Sequence, residues 1–560
     1  MSNAALYLNP EAYDTKGKAL MGRQSAGESF LRGYLQHTRA DHAWFWNVAN
    51  RSEADLTAFV ETINPVGRPH SIVARHDRPG LGRAGNVFLT NPNLAREAWA
   101  RRTAGCASDY GISTITHTTA SEWVMDSIAN MLLAPIEPWD RLICTSNAVR
   151  QSVEVELEAV RNDLEVRLGA TRLPEPRLVT IPLGINTADF SVTDAARADW
   201  RARLDIPEDA VVALYIGRFN THAKMNPIPM AMALERAAQA AGRPVFWVQA
   251  GWGVSEQADK IYHDECRAQC PSVGYRIVDG RPAETRFSIW SVADIFISLS
   301  DNIQETFGLT PVEAMAAGLP CVVSDWNGYR DTVRHGVDGF RASTYAPASG
   351  AGQDLAYRHA NGWITYDQYV GGASQLTAVD IGEAAKALLD LIEDPDLRKR
   401  MGDAGRSRAR HIFDWSQIIP QYEAMWAEMT EDRLAAPAGQ MAPRNLAPNP
   451  RRLDPFHLFG GYPSEWLSPT TMVMLTPGQS LQTLETLISM RLTTHGGSAL
   501  PSVPELKRMV DRLTHHRQIS AGELANGFPE GRRALVQRGL LYLAKYDVVT
   551  ILPRDREISG

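Results

Sequence analysis

Cysteine and long apolar runs are both scarce in this sequence, and each shortage excludes a class of protein. The 560 residues include five cysteines, a small and odd number that argues against a disulfide framework and favours a reducing compartment. Cys266 and Cys270 stand four apart in a predicted helix. No Cys or His pair at matching spacing occurs elsewhere, so ordinary thiols are favoured over a metal site.

Membrane and secretion signals are also lacking. No apolar run reaches the roughly 18 residues that a membrane-spanning helix needs, and the first residues lack the basic and apolar regions of a signal peptide. We therefore expect a cytoplasmic protein, and peripheral contact with a membrane surface stays open.

Strong net charge is absent as well. The formal net charge is -7, with 22% charged and 44% hydrophobic residues, which is ordinary for a soluble globular chain. A general polyanion binder is therefore not indicated, and we expect no nucleic-acid partner. The length predicts about three compact units, and we find no internal repeat.

Residues 1–190 alternate short apolar runs with helix-length segments, such as Ala26–Gln36, Leu94–Arg102 and Val149–Leu168. This alternation is typical of an α/β unit with a mostly parallel sheet covered on both faces. The predicted strands are Ala5–Leu8, Ala43–Val48, Ser71–Ala74, Asn86–Leu89, Ile112–Thr116, Arg141–Thr145 and Arg177–Ile181.

A second α/β half occupies residues 205–412 and begins with the buried-type strand VVALYIG at Val211. Two such halves imply a cleft, with ligands at the carboxyl ends of the strands. No Gly-x-Gly-x-x-Gly turn follows the first strand, which disfavours a dinucleotide enzyme. Residues 341–380 are interpreted as a loop-rich insertion in this half.

The end of the chain has a different composition. Residues 432–455 are rich in Pro, Ala, Asn and Arg and are interpreted as a linker. Residues 456–560 then predict a small α/β accessory domain, with helices at Leu481–Leu492 and Val503–His515 and a final strand at Asp547–Leu552. A winged helix is one form of such a domain, and assembly into a homo-oligomer is one use.

The most informative segment is SDNIQETFGLTPVEAMAAGLPCVVSD, which starts at Ser300. Thr310 as N-cap, Pro311 at the first helical position and Glu313 three residues after the cap predict a capping box. Gly318 is placed to end the helix. The amino end of this helix would present free amides and a positive dipole end to a diphosphate.

An acid, Phe-Gly-Leu, and Pro-x-Glu-Ala-Met-Ala-x-Gly-x-Pro follow one another in this segment. The order closely resembles the Glu-x7-Glu signature of family 4 retaining glycosyltransferases. The resemblance implies that Glu305 faces the sugar of a nucleotide-sugar donor and that Glu313 holds the ribose hydroxyls. It also places the amides of Gly308, Leu309 and Thr310 against the distal phosphate.

Two cations match a further part of the family pattern. Gly217-Arg218 follows the strand VVALYIG, and Lys224 comes six residues after Arg218. We predict that Arg218 and Lys224 face the pyrophosphate and offset the charge of the leaving group. That arrangement would need no divalent metal and no cofactor, and no Asp-x-Asp motif stands out.

Two assignments in the first half depend on the resemblance. The family has a His at the end of a strand beside the donor sugar, which implies His117, with His76 as a rival. The family also has a glycine turn leading into the first helix, where amides approach the diphosphate. That implies Gly27, with Gly22 as an alternative.

The resemblance covers residues 1 to about 430 and implies a GT-B fold, with two Rossmann-like lobes and a central cleft. The first lobe, 1–190, would be completed by a crossing helix at 413–430. One departure is Asn327-Gly328-Tyr329-Arg330-Asp331, which replaces the usual Gly-Gly-x-x-Glu. Trp326 before it is bulkier than the family norm, and both changes concern the expected donor-sugar pocket.

These features together predict a retaining, metal-independent glycosyltransferase of glycan biosynthesis. It would move a sugar from a nucleotide-diphosphate sugar to an unidentified acceptor, which could be a glycan, a lipid-linked molecule or a protein. Two alternatives stay open. One is a sugar-nucleotide-sensing regulator with a DNA-binding tail, and the other is a phosphorylase or epimerase that shares the fold.

Overall fold

The computed structural model describes residues 3–13, 22–436 and 448–552. The chain divides into two compact units, Met1–Pro450 and Arg451–Gly560. Within the described residues, no helix is long and apolar enough to cross a membrane.

The first lobe of the larger unit contains a seven-stranded sheet in the order β3-β2-β1-β4-β5-β6-β7. All pairs are parallel, and helices connect most successive strands, as a parallel sheet requires. The elements are β1 Asn3–Leu8, α1 Gly22–His37, β2 Ala43–Asn47, α2 Glu53–Ile63, β3 His70–Val73, β4 Gly85–Leu89, α3 Leu94–Thr103, β5 Gly111–Ile115, α4 Glu122–Ala129, β6 Arg141–Cys144, α5 Asn147–Leu168 and β7 Arg177–Thr180.

The second lobe contains a six-stranded parallel sheet in the order β10-β9-β8-β11-β12-β13. Its elements up to that sheet's last strand are α6 Asp194–Arg203, β8 Val211–Arg218, α7 Ile228–Ala240, β9 Val245–Trp252, α8 Glu256–Gln269, β10 Gly274–Asp279, α9 Ala283–Ser288, β11 Ile295–Ser298, α10 Leu309–Ala317, β12 Cys321–Ser324, α11 Tyr329–Thr332 and β13 Gly339–Ala342. Two Rossmann-like lobes with a cleft between them confirm the predicted GT-B fold.

Residues 341–380 are not the loop-rich insertion that the sequence predicted. A two-stranded antiparallel pair closes the segment at its base, and two helices fill it; Thr365 starts the second of these with a capping box. The Gly, Ala and Ser content of this segment led to the prediction of a loop, although helix caps and packing allow helices to form there. The elements are β14 Thr344–Tyr345, α12 Gln353–Ala360, α13 Tyr366–Gln375 and β15 Ala378–Val379.

The larger unit ends with three helices, α14 Ile381–Glu393, α15 Pro395–Arg408 and α16 Trp415–Ala435. Helix α16 packs into the core of the first lobe and carries seven buried residues, among them Trp415, Tyr422 and Trp426. The chain thus crosses between the lobes twice. The two crossings pair as an isolated parallel bridge between Ile185 and Asp414.

Trp415 fits at this crossing because two glycines face it. A Cβ added to Gly33 would lie 2.3 Å from the indole, and one added to Gly184 would lie 2.6 Å from it. Both distances are far below van der Waals contact, so any larger residue would displace the tryptophan.

The smaller unit has a core of its own, which includes Val473, Leu506, Met509 and Leu540. Its three-stranded antiparallel sheet has the order β17-β16-β18. The elements are α17 Pro455–Leu458, β16 Met472–Leu475, α18 Leu481–Ser489, α19 Arg491–Thr494, α20 Val503–His515, β17 Ile519–Ser520, α21 Ala521–Asn526, α22 Arg533–Lys545 and β18 Val549–Ile551. The single helix predicted at Leu481–Leu492 is divided at Met490, and residues 437–447 of the predicted linker lie outside the described residues.

We predict that a chain ending at Ala435 folds, because it keeps all of α16. A chain ending at Phe413 should aggregate. Burial of each of the seven lost core side chains contributes about 1.5–3 kcal/mol to stability. Taken together, these contributions are comparable to the net free energy of unfolding of a typical domain, roughly 5–15 kcal/mol. Soluble expression and cooperative thermal unfolding would check both. Aggregation of the Ala435 form in every tested buffer would contradict the boundary.

Candidate functional site

A cavity of about 730 Å³ lies between the two lobes of the larger unit. It is bounded by the carboxyl ends of strands from both sheets, where ligands of open α/β sheets bind. Eight of the nine residues that the sequence predicted for the site line it: His117, Arg218, Lys224, Glu305, Gly308, Leu309, Thr310 and Glu313.

Gly27, the ninth residue, lies elsewhere. It lines a smaller cavity of about 80 Å³ in the first lobe, which His117 also borders. The prediction that Gly27 lies in a turn before the first helix is wrong, because Gly27 lies inside α1. A Cβ there would meet the Ala12 carbonyl at 3.0 Å and the Tyr13 ring at 3.2 Å, so tight packing accounts for the glycine. Gly22, the alternative, is the first residue of α1.

The two candidate histidines have different surroundings. His117 follows β5, near the middle of the first sheet, and its carbonyl accepts a hydrogen bond of 3.0 Å from the Thr306 hydroxyl. His76 follows the edge strand β3, is exposed and does not line the large cavity. The fold therefore brings His117, and not His76, to the cleft.

The capping box predicted for Thr310 and Glu313 is wrong. Helix α10 starts two residues earlier, at Leu309, and its N-cap is Gly308, which makes no side-chain capping bond. Gly308 has φ 90°, which only glycine adopts at little cost, and a Cβ there would lie 2.2 Å from the Tyr329 ring. The carboxyl of Glu313 is therefore not needed for the helix end and faces the cavity. The predicted C-cap is confirmed, because Gly318 ends the helix with φ 82°.

Burial gives Glu313 an unusual proton affinity. It raises the pKa of the carboxyl to about 7, against the opposing positive charges of Arg286 and Lys224. Burial of a carboxyl away from water favours its neutral form. The Glu313 carboxyl can therefore accept hydrogen bonds from the donor groups of a bound ligand.

Charged side chains converge at the floor of the cleft. Lys224 Nζ lies 3.6 Å from Glu305 Oε2, and the Lys224 loop is turned by Asn220, whose side chain accepts from the backbone N–H groups of His222 and Ala223. Arg218 ends strand β8 and lines the same space. This part of the cleft can receive an anionic group between cations and helix amides.

Trp326 and Asn327, the bulky departure from the family pattern, do not line the large cavity. The indole N–H of Trp326 donates to the Asn302 carbonyl at 3.0 Å, and the Asn327 side chain donates to the Glu305 carbonyl. Both residues therefore support the Glu305 loop from behind. The departure from the family pattern at Trp326 and Asn327 therefore does not change the wall of the large cavity directly.

The insertion also reaches this loop. Ser374 in α13 donates to Asp301 Oδ1 at 2.7 Å, and Asp301 Oδ2 accepts from the Asn226 N–H at 3.4 Å. Burial raises the pKa of Asp301 to about 6, which these bonds oppose. Helix α13 is thus tied to the loops of both Lys224 and Glu305.

Several charged and aromatic residues of the cavity escaped the sequence interpretation. Arg286 follows β10, a strand whose carboxyl end is an expected ligand position, but no motif marks it. Arg32 in α1 forms an ion pair with Asp189 at the hinge. These residues come together only through the fold: Glu28, Arg32, Trp123, Asp189, Trp252 and Arg286.

The five cysteines are all buried and unpaired as disulfides. Cys270 Sγ donates to the Cys266 carbonyl at 3.1 Å, so these two thiols belong to the packing of α8. Among the described residues, no group of three or more His, Cys, Asp or Glu is placed to hold a metal ion.

Comparison with known proteins connects the second lobe to a family. Residues 196–352, which contain Arg218, Lys224 and the Glu305–Glu313 segment, match the model described as "Glycosyl transferases group 1". The D-inositol 3-phosphate glycosyltransferase of Geodermatophilus obscurus is 30% identical over 263 residues, which are 46% of this chain and 49% of that protein. The enzyme of the same name from Kineococcus radiotolerans is 26% identical over 415 residues, 69% of this chain and 86% of that one.

The chain spans about half the length of the first curated relatives that it matches. Among solved structures, Anabaena Alr3699/HepE in complex with UDP is 13% identical and covers 76% of this chain and 100% of its own, with a TM-score of 0.49.

We predict that Glu313→Gln stabilises the nucleotide-free protein at pH 8 and leaves its stability unchanged at pH 4. The raised pKa means that the folded state keeps a proton between about pH 4.5 and pH 7 that the unfolded state has lost. The free energy of unfolding therefore falls as pH rises through that window. Glutamine does not titrate, so this pH dependence should be absent in Glu313→Gln. Melting temperatures across this range would check it, with Glu393→Gln as a control at an exposed position. Parallel pH profiles for wild type and Glu313→Gln would contradict it.

Proposed function

We propose that the protein is a retaining glycosyltransferase that moves a sugar from a nucleotide-diphosphate sugar to an acceptor. The observation that carries the proposal is the meeting, in one cavity, of Arg218, Lys224, the amino end of α10 and two carboxylates, Glu305 and Glu313. This set is what a leaving diphosphate and a sugar nucleotide require. The match of residues 196–352 to glycosyl transferases group 1 supports the same class of reaction.

The leaving group determines the proposed mechanism. As the bond between the sugar and the distal phosphate breaks, negative charge grows on the phosphate oxygens. Arg218, Lys224 and the amides of Leu309 and Thr310 stabilise that charge in a preorganised site. The proton of the acceptor hydroxyl passes to the departing phosphate oxygen, so no group of the protein has to form a covalent intermediate.

The other predicted residues receive roles in this scheme from the resemblance. Glu305 faces the donor sugar and Glu313 binds the ribose hydroxyls, and the high pKa of Glu313 suits a carboxyl that gains donors on binding. His117 lies beside the sugar, and a diphosphate contact from Gly27 stays a prediction. Retention of the anomeric configuration is part of the proposal and rests on the resemblance.

The acceptor is proposed to enter from the first lobe. The cavity wall there includes Trp123, which is 52% exposed. The insertion contacts the loop that carries Lys224, because a Cβ on Gly371 of α13 would lie 2.8 Å from the His222 ring. We therefore infer that the insertion takes part in selecting the acceptor.

A panel of nucleotide sugars should identify the donor, because a ligand that binds only the folded state raises the melting temperature. With that donor, Arg218→Ala and Lys224→Ala should each slow transfer by about 10², since each removes a charge-assisted contact to the leaving group. Lys260→Ala, an exposed lysine of α8, is the control. Turnover within twofold of wild type in both cleft variants would refute the assignment.

Transfer should persist in EDTA, because side-chain cations supply the positive charge at the diphosphate. The measurement is initial rate before and after chelation, with a metal-dependent glycosyltransferase treated in parallel to show that chelation is complete. An activity that disappears and returns with manganese or magnesium would contradict this part of the proposal.

A further inference from the structure

Two hydrogen bonds join the lobes directly beside Glu305. Ser146, the N-cap of α5 in the first lobe, donates through Oγ to the Thr306 carbonyl of the second lobe at 2.7 Å. The Thr306 hydroxyl donates in turn to the His117 carbonyl at 3.0 Å. Ser146 is 1% exposed and Thr306 is 7% exposed, so water cannot easily replace these partners.

Asp331 makes a second connection at the rim of the same contact. Its carboxylate accepts from the backbone N–H of Asn147 at 2.7 Å and from Asn147 Nδ2 at 3.1 Å. Asn147 is the first residue of the 22-residue helix α5, whose amino end has unpaired amides and a partial positive charge. A carboxylate of one lobe thus caps a helix of the other.

Asp331 is itself held firmly in the second lobe. Arg408 in α15 donates to the Asp331 carbonyl at 2.9 Å. Asp331 lies in α11, two residues after Tyr329, whose buried hydroxyl bonds Ser298. Asp331 is also the last residue of the segment that replaces the family's Gly-Gly-x-x-Glu. The structure places this part of the departure at the contact between the lobes.

We propose that Ser146, Asn147 and Asp331 form a latch that positions Glu305 when the lobes are closed. None of the three lines the cavity. Ser146 bonds Thr306, the residue that follows Glu305, and the bonds between Asn147 and Asp331 hold the start of α5 against the second lobe beside it. In the closed arrangement the Thr306 carbonyl and hydroxyl are both fixed to the first lobe. Opening the cleft would break these bonds and release the peptide that carries Glu305.

Because of the latch, closing the lobes also brings Glu305 into its catalytic position. The donor's nucleotide contacts lie mostly on the second lobe and survive opening, whereas the position of Glu305 relative to His117 does not. Loss of the latch should therefore lower kcat and spare nucleotide affinity. It should also raise donor hydrolysis relative to transfer, because an imperfectly closed cleft admits water.

The test rests on the proposed function and uses the full chain. Ser146→Ala should reduce the kcat of transfer about tenfold, because small displacements of a catalytic group are costly, and should leave the Kd for UDP and GDP by calorimetry within about threefold of wild type. Ser52→Ala is the matched control. Ser52 caps α2 in the same way, with Oγ accepting from Asp55 N–H, but its cap does not cross the cleft.

A double-mutant cycle tests the rim contact. Asn147→Ala should lower kcat slightly, because it removes only the Nδ2 bond, and Asp331→Ala should lower it more, because it also removes the bond from the Asn147 backbone N–H. The double variant should be no slower than Asp331→Ala, since Asn147→Ala then has no further bond to remove. Hydrogen exchange provides a readout without substrate: the Asn147 amide should lose protection in Asp331→Ala.

The two proposals fail separately. An Arg218→Ala variant that transfers as fast as wild type contradicts the donor site. A Ser146→Ala variant with the kcat and hydrolysis ratio of Ser52→Ala, or additive losses in the cycle with an unchanged Asn147 amide, contradicts the latch.

Discussion

The larger unit depends on one tight contact, the packing of Trp415 against backbone at Gly33 and Gly184. It lies where the chain passes between the lobes for the second time. Backbone bonds beside it, from Ile185 N–H to the Phe413 carbonyl at 2.8 Å and from Trp415 N–H to the Ile185 carbonyl at 3.1 Å, join the two crossings. Because both crossings share one short bridge, the lobes have a single hinge.

The hinge also determines what can meet in the cleft. Asp189, just after the first crossing, pairs with Arg32 of α1, and the Trp415 indole donates to Ser29 at 2.8 Å. Both contacts lie at the hinge and fix one wall of the cavity, because Ser29, Arg32 and Asp189 line it.

The Glu305 loop is held by neighbours that never touch the cavity. Trp326, Asn327 and Asp301 bond its backbone or the loop next to it, and Ser146 bonds it from the other lobe. These bonds fix the backbone of the segment between β11 and α10 in one position. Preorganisation matters here because developing charge is stabilised only by groups already in place.

Local sequence predicted most of the elements and eight of the residues that line the large cavity. The seven strands of the first lobe follow from short apolar runs bounded by turns, because such patterns act over a few residues. Arg218 and Lys224 follow the first strand of the second lobe, at the edge where parallel strands place ligands, whereas Glu305 and His117 were assigned to the site from the family resemblance. The same reasoning failed for the capping box at Thr310, because whether a side chain caps a helix depends on where the entering backbone turns, and the left-handed Gly308 moved that point.

Tertiary structure decided which distant residues share the site. Arg286, Trp123 and Asp189 have no motif, and they line the cavity only because two sheets and a hinge bring them there. In the sequence, Asp331 is only part of the segment that differs from the family's Gly-Gly-x-x-Glu. In the structure, its carboxylate caps the amino end of α5. The high pKa of Glu313 likewise has no local signal, since burial by surrounding elements is a property of the packed chain and not of the residues beside it.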